Sequence, residues 1–150
     1  LLYSGGLRLS EVVNLKITDI DSNSMTITIC QAKGKKKRQV MLSESFLLIF
    51  RQYCLKYQPS CYLFEGQNNL QYSGRSIQQI VKQSALKSGI NKKVSPHILR
   101  RSFATHLLNM GTDIHSIQEL LGHSHLNTTK IYTQLTDVPK NKIKSPLDRL

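Results

Sequence analysis

A chain of 150 residues with 39% apolar side chains carries material for one core of ordinary size, so a single domain is the expectation. Its 21 Lys and Arg against 9 Asp and Glu leave a net charge of +12, a field that draws polyanions and weakens as salt screens it, which puts nucleic acid first among partners. No stretch approaches the roughly 20 consecutive apolar residues of a spanning helix, and Cys30, Cys54 and Cys61 form neither an even set nor a CxxC pair, which argues against a membrane, a disulfide framework and a zinc ribbon.

The opening LLYSGGLRLSEVVNL places Leu2, Leu9, Val12, Val13 and Leu15 at helical spacing around the Gly5-Gly6 break, which predicts two short helices, the second capped by Ser10. It has neither an initiator Met nor a signal-peptide pattern, and is expected to be the start of a piece of a longer, cytoplasmic protein. Met25, Ile27 and Ile29 alternate with threonines, and Val40 and Leu42 resume the alternation beyond a turn at Lys33 to Lys37, the pattern of a β-hairpin. Ser43 caps a helix through Tyr57 that Pro59 stops, with Phe46, Leu47, Phe50 and Cys54 on one stripe. Tyr62 to Phe64 suggests a short strand, and Ile77, Ile80, Val81 and Ala85 predict a helix from Ser73 to Ser88 closed by Gly89. Pro96 opens a further helix that ends at Gly111. Thr112 or Asp113 caps one that ends at Gly122, and Asn127 or Thr128 starts one through Leu135. The remaining DVPKNKIKSPLDRL, with two prolines, reads as a tail.

Several of these residues suit chemistry on phosphates. His97 and Arg100, three apart on a helix, leave the same face and can converge on one anion, although a solvated basic face gives the same spacing. Arg8, after a Gly-Gly turn, is placed for bidentate contact with phosphate oxygens, or is simply a surface arginine. Lys33, Lys35, Lys36, Lys37 and Arg38 crowd one hairpin, where they either meet a DNA backbone or keep a sheet edge soluble. Tyr132 is either a packing element or a nucleophile; a phenol with a pKa near 10 needs neighbouring cations or a base for the second role. The histidines lack His-x3-His or HExxH spacing and GKKK at Gly34 lacks the P-loop ending, so neither a metal, a nucleotide nor any other cofactor is expected.

Together the segments GLRLSEV, AKGKKKRQV, SPHILRRSFATHLLNMG and LLGHSHLNTTKIYT resemble, in order and spacing, the catalytic domain of the tyrosine recombinases, the phage integrase and Xer family. The resemblance implies an α+β fold, mostly helical with a small antiparallel sheet or hairpin near the N-terminus, over residues 1–136, followed by a tail over 137–150. It implies catalytic roles for Arg8, Lys33, His97, Arg100, His123 and the nucleophile Tyr132, with Glu11 supporting Arg8 and with Lys35, Lys36, Lys37 and Arg38 on DNA. The reaction implied is strand cleavage and rejoining through a 3′-phosphotyrosyl intermediate, which keeps the bond energy and calls for no ATP. The partners implied are double-stranded DNA, an N-terminal DNA-binding domain of the same protein and a homotetramer joined through the tail. Two alternatives stand beside this: type IB topoisomerase-like relaxation of supercoils, and a DNA-binding module without cleavage.

Overall fold

A computed structural model describes residues 1–30 and 37–122 of the chain. Helix α1 spans Leu9–Asn14, and a 3-10 turn at Ile17–Asp19 leads into the short strand β1, Ile20–Asp21. Strands β2, Thr26–Cys30, and β3, Lys37–Met41, follow. Among the described residues four longer helices follow: α2 Glu44–Tyr57, α3 Gly74–Lys87, α4 Pro96–Asn109 and α5 Ile114–Leu121.

Most helix boundaries follow from side-chain chemistry. The hydroxyls of Ser43, Ser73 and Ser95 accept from the backbone N–H groups of Phe46, Ser76 and Ile98, satisfying donors that the first turns of α2, α3 and α4 would otherwise leave unpaired. The Asp113 carboxylate does the same for α5, taking the N–H groups of His115 and Ser116, so of the two caps expected there Asp113 is the one used. The first segment departs from expectation. Residues 1–5 form a turn, with the Gly5 N–H donating to the Leu1 carbonyl at 3.1 Å, rather than a helix. The N-cap of α1 is Arg8 and not Ser10, because the Glu11 carboxylate reaches back to the Arg8 backbone N–H at 2.7 Å and starts the helix earlier.

The strands form an antiparallel sheet in the order β1-β2-β3. Ile27 lies opposite both Ile20 and Val40, and Ile29 opposite Arg38, which sets all five side chains on one face. Ile27, Ile29 and Val40 are buried there, the alternation that the sequence predicts. The strand expected at Tyr62 to Phe64 narrows to a single bridge between Tyr62 and Lys16, which drives Leu63 into the core.

Among the described residues the core falls into two clusters. The larger joins the sheet to the inner faces of α1, α2 and α3 through Leu7, Val12, Leu15, Leu47 and Ile77. The smaller, Phe103, Ala104, Ile117 and Leu121, seals α4 against α5. Gly6 sits against the second, with a positive φ of 60°, and a Cβ there would lie 2.3 Å from the Phe103 ring. Only glycine passes that point without strain, so the turn that delivers Arg8 is locked to α4 by close backbone approach.

Candidate active site

The site is built around one acidic side chain. Glu11, in the first turn of α1, has a side chain only 8% exposed, and three guanidinium groups reach it from three different elements. Arg8 Nη1 donates to its Oε1 at 2.8 Å. Arg38, from β3, takes both oxygens in a fork, Nη1 to Oε1 at 2.7 Å and Nη2 to Oε2 at 2.8 Å. Arg100, from α4, approaches Oε2 to 3.7 Å with Nη1. Burial pushes the Glu11 pKa up, but the hydrogen-bonded Arg38 guanidinium, the Arg8 backbone N–H, the Arg38 charge and the Arg8 side chain together outweigh it. They hold the carboxyl at about 2.

The same three arginines converge a second time. At the C-terminal end of α5 the last carbonyls have no partner within the helix and form the negative end of its dipole. Arg38 Nε donates to the Leu120 carbonyl at 2.8 Å, Arg100 Nη2 to Leu121 at 2.7 Å and Arg8 Nη2 to Gly122 at 2.9 Å. Three consecutive carbonyls are thus each met by a different arginine. Arg100 also donates to the Gly6 carbonyl at 2.6 Å, tying α4 to the glycine turn.

Exposure separates the roles. The Arg8 side chain is 38% exposed against 5% for Arg100 and 9% for Arg38, so Arg8 presents its edge to a cleft shared with Asn14, Lys16, Thr28, Cys30 and Gly122. Arg100 is buried, which removes the solvated basic face as an explanation for it. His97 is exposed in the first turn of α4, the same helix.

Among the residues singled out from sequence, the structure therefore brings together Arg8, Glu11 and Arg100, with Lys37 exposed at the start of β3. Arg38 is expected at the hairpin surface facing DNA; instead it points inward and is spent on Glu11 and Leu120. Its inward direction is readable from period two, since Arg38 lies two residues before Val40 and four before Leu42, both buried. Lys33, Lys35, Lys36, His123, Tyr132 and the tail lie outside the described residues, as does the helix expected from Asn127 or Thr128. Among the described residues no group of three His, Cys, Asp or Glu is placed to hold a metal ion, the cysteines are free, and no helix is long and apolar enough to cross a membrane.

A family model described as the phage integrase family matches residues 1–138. The chain belongs to the phage integrase family. Integrase-family relatives include tyrosine recombinase XerA of Pyrococcus furiosus, 44% identical over 91% of this chain and 48% of the relative, and tyrosine recombinase XerD of Staphylococcus epidermidis, 36% identical over 91% of this chain and 48% of the relative. The chain thus spans about half the length of these curated relatives. Among solved structures, that of XerA recombinase superposes with a TM-score of 0.83 at 37% identity, covering 91% of this chain and 51% of that one. XerH site-specific recombinase, bound to palindromic difH substrate in a post-cleavage complex, gives 0.81 at 30% identity, covering 91% and 40%. The fold of the described residues is accordingly a mixed one, helical with a small antiparallel sheet, as the sequence resemblance implies.

Proposed function

We propose that this chain carries the catalytic centre of a site-specific DNA recombinase that cuts and rejoins strands through a covalent bond to Tyr132. The observation that carries the reading is the pairing of Arg8 and Arg100, which come from distant parts of the sequence and share Glu11 and adjoining carbonyls at the end of α5. Two fixed guanidinium groups suit the two non-bridging oxygens of one phosphodiester, where catalysis rests on positioning and on stabilising charge as the phosphoryl group transfers. Residue 123, directly after Gly122, is a histidine, so the arginines hold the backbone from which His123 departs.

In the proposed reaction the Tyr132 phenol oxygen attacks phosphorus, its proton passing with the help of His97. The bond from phosphorus to the 5′ oxygen breaks, and that oxygen takes a proton from Lys33. A 3′-phosphotyrosyl link and a free 5′ hydroxyl result, and a 5′ hydroxyl from a second duplex reverses the step. Arg8, Arg100 and His123 bind the oxygens that gain charge. Lys37, exposed at the start of β3, and the neighbouring Lys35 and Lys36 of the sequence supply contacts to the DNA backbone that position without reading sequence. In this reading residues 1–136 work in the cytoplasm of a bacterial or phage-infected cell beside an N-terminal DNA-binding domain. Four copies assemble on two duplexes through the tail.

The test is covalent trapping on a nicked suicide substrate by the full-length protein. Tyr132→Phe is expected to abolish the adduct while DNA affinity stays within about twofold, the phenol being a minor part of the contact surface. An adduct that persists in Tyr132→Phe overturns the assignment. A two-site recombination assay run beside plasmid relaxation separates recombination from relaxation alone.

A further inference from the structure

We infer that Arg38 is a positioning residue for strand cleavage: through the Glu11 carboxylate and the Leu120 carbonyl it fixes the Arg8 guanidinium and the end of α5 that leads into His123. This rests on the reading of the function proposed above and assigns a role to a residue whose sequence context points elsewhere, to the DNA-facing hairpin.

The geometry separates the two roles. A backbone-contacting hairpin cation would hold its charge toward solvent, yet the Arg38 side chain is 9% exposed and lies on the buried face of the sheet beside Ile29, its cross-strand partner. Three of its nitrogens are committed: Nη1 and Nη2 to the two oxygens of Glu11 and Nε to Leu120. With that fork in place, Glu11 Oε1 stands where Arg8 Nη1 meets it and Oε2 where the Arg8 backbone N–H meets it, so the direction of Arg8 is set from behind. The Arg8 Nη2 left over is aimed at Gly122. Arg38 touches neither the cleft that Arg8 opens onto nor, in this reading, the phosphate. It acts through Glu11 and α5.

Planarity matters as much as charge. A guanidinium can satisfy a carboxylate in bidentate fashion and a third acceptor along its edge at once, which the point charge of an ammonium on a flexible stem cannot reproduce. Lysine at position 38 therefore keeps the hairpin's electrostatics and loses the fork. This makes Arg38→Lys the informative variant, with Arg38→Gln beside it.

In the full-length protein, the rate of adduct formation on a nicked suicide substrate at saturating DNA, the Kd for the same DNA and the thermal midpoint would be measured for wild type, Arg38→Lys, Arg38→Gln and Tyr132→Phe. The expected result is a rate lowered about tenfold or more in Arg38→Lys and further in Arg38→Gln, with Kd within about threefold of wild type. The rates are compared below the midpoint of each variant. Should Arg38→Gln fail to fold, Arg38→Lys carries the test alone. A rate in Arg38→Lys equal to wild type overturns the proposal, as does a loss lying wholly in Kd, which would return Arg38 to the DNA backbone. A lowered midpoint with an unchanged rate also overturns it, leaving a purely structural ion pair. Wild type and Tyr132→Phe report on the parent reading: no wild-type adduct, or one that survives Tyr132→Phe, sinks both, whereas normal controls with an unaffected Arg38→Lys sink this inference alone.

Discussion

Among the described residues Glu11 is the anion that the three guanidinium groups of Arg8, Arg38 and Arg100 share, and its removal perturbs all three at once. Its carboxyl is held at about 2 against an ordinary value of 4.5, so the folded state binds its proton more weakly than the unfolded chain does. The stability this contributes is fully present above pH 4.5 and is lost as the pH falls through about 2. Its size is on the order of 2 kcal/mol once residual solvent screening is allowed for. Glu11→Gln is expected to lower unfolding stability at pH 7 by about 3 kcal/mol, since it strips the counter-charge from arginines that remain buried. The gap between variant and wild type, followed by urea unfolding at successive pH values, should shrink between pH 4.5 and 2. A gap that is constant across that window would show that the charge of Glu11 is not what matters. That Glu11 supports Arg8 is legible in the sequence through the family resemblance; that it also serves Arg38 and Arg100 is not, because neither is near it in the chain.

At the scale of elements, caps and periodicities carry the reading. The serines before α2 and α3 and the aspartate before α5 mark helix starts because their oxygens have one obvious use there, and the alternation of Ile27, Ile29 and Val40 marks the hairpin. The opening segment misleads for a physical reason: Ser10 is chemically the better cap, but Glu11 captures the Arg8 N–H and moves the helix start forward. The strand β1 has only two residues, too few for any pattern to show. The glycine turn before α1 gives a prediction of its own. Gly6→Ala should cost about 2–4 kcal/mol, from a left-handed φ and from a methyl driven into the Phe103 ring. Combining it with Phe103→Leu in a double-mutant cycle should reveal a coupling of about 1–3 kcal/mol, measured by denaturant unfolding. Strict additivity would mean that the ring is not the obstacle.

For the molecule as a whole, the motif blocks make the identities of the candidate residues legible while their mutual arrangement is not. Arg8 meets Gly122 across 114 residues of sequence, Arg100 meets Gly6 across 94 and Arg38 meets Leu120 across 82, separations that no local pattern encodes. The proposed assembly has its own test at this scale. Deleting residues 137–150 from the full-length protein should leave binding to one DNA site nearly unchanged and lower synaptic complex formation about tenfold or more, as expected when linked copies lose a shared contact. Unchanged synapsis on a native gel or by light scattering would remove the tail from the assembly. The long sequence reach of the arginine contacts has a further consequence. Contacts between distant segments are made against the entropy of closing large loops, and local unfolding of α5 takes apart those of Arg8, Arg38 and Arg100 to its last carbonyls together. A nascent or partly melted molecule therefore holds its cationic residues as scattered charges, and under the proposed function the set that grips a phosphate exists only once folding is complete.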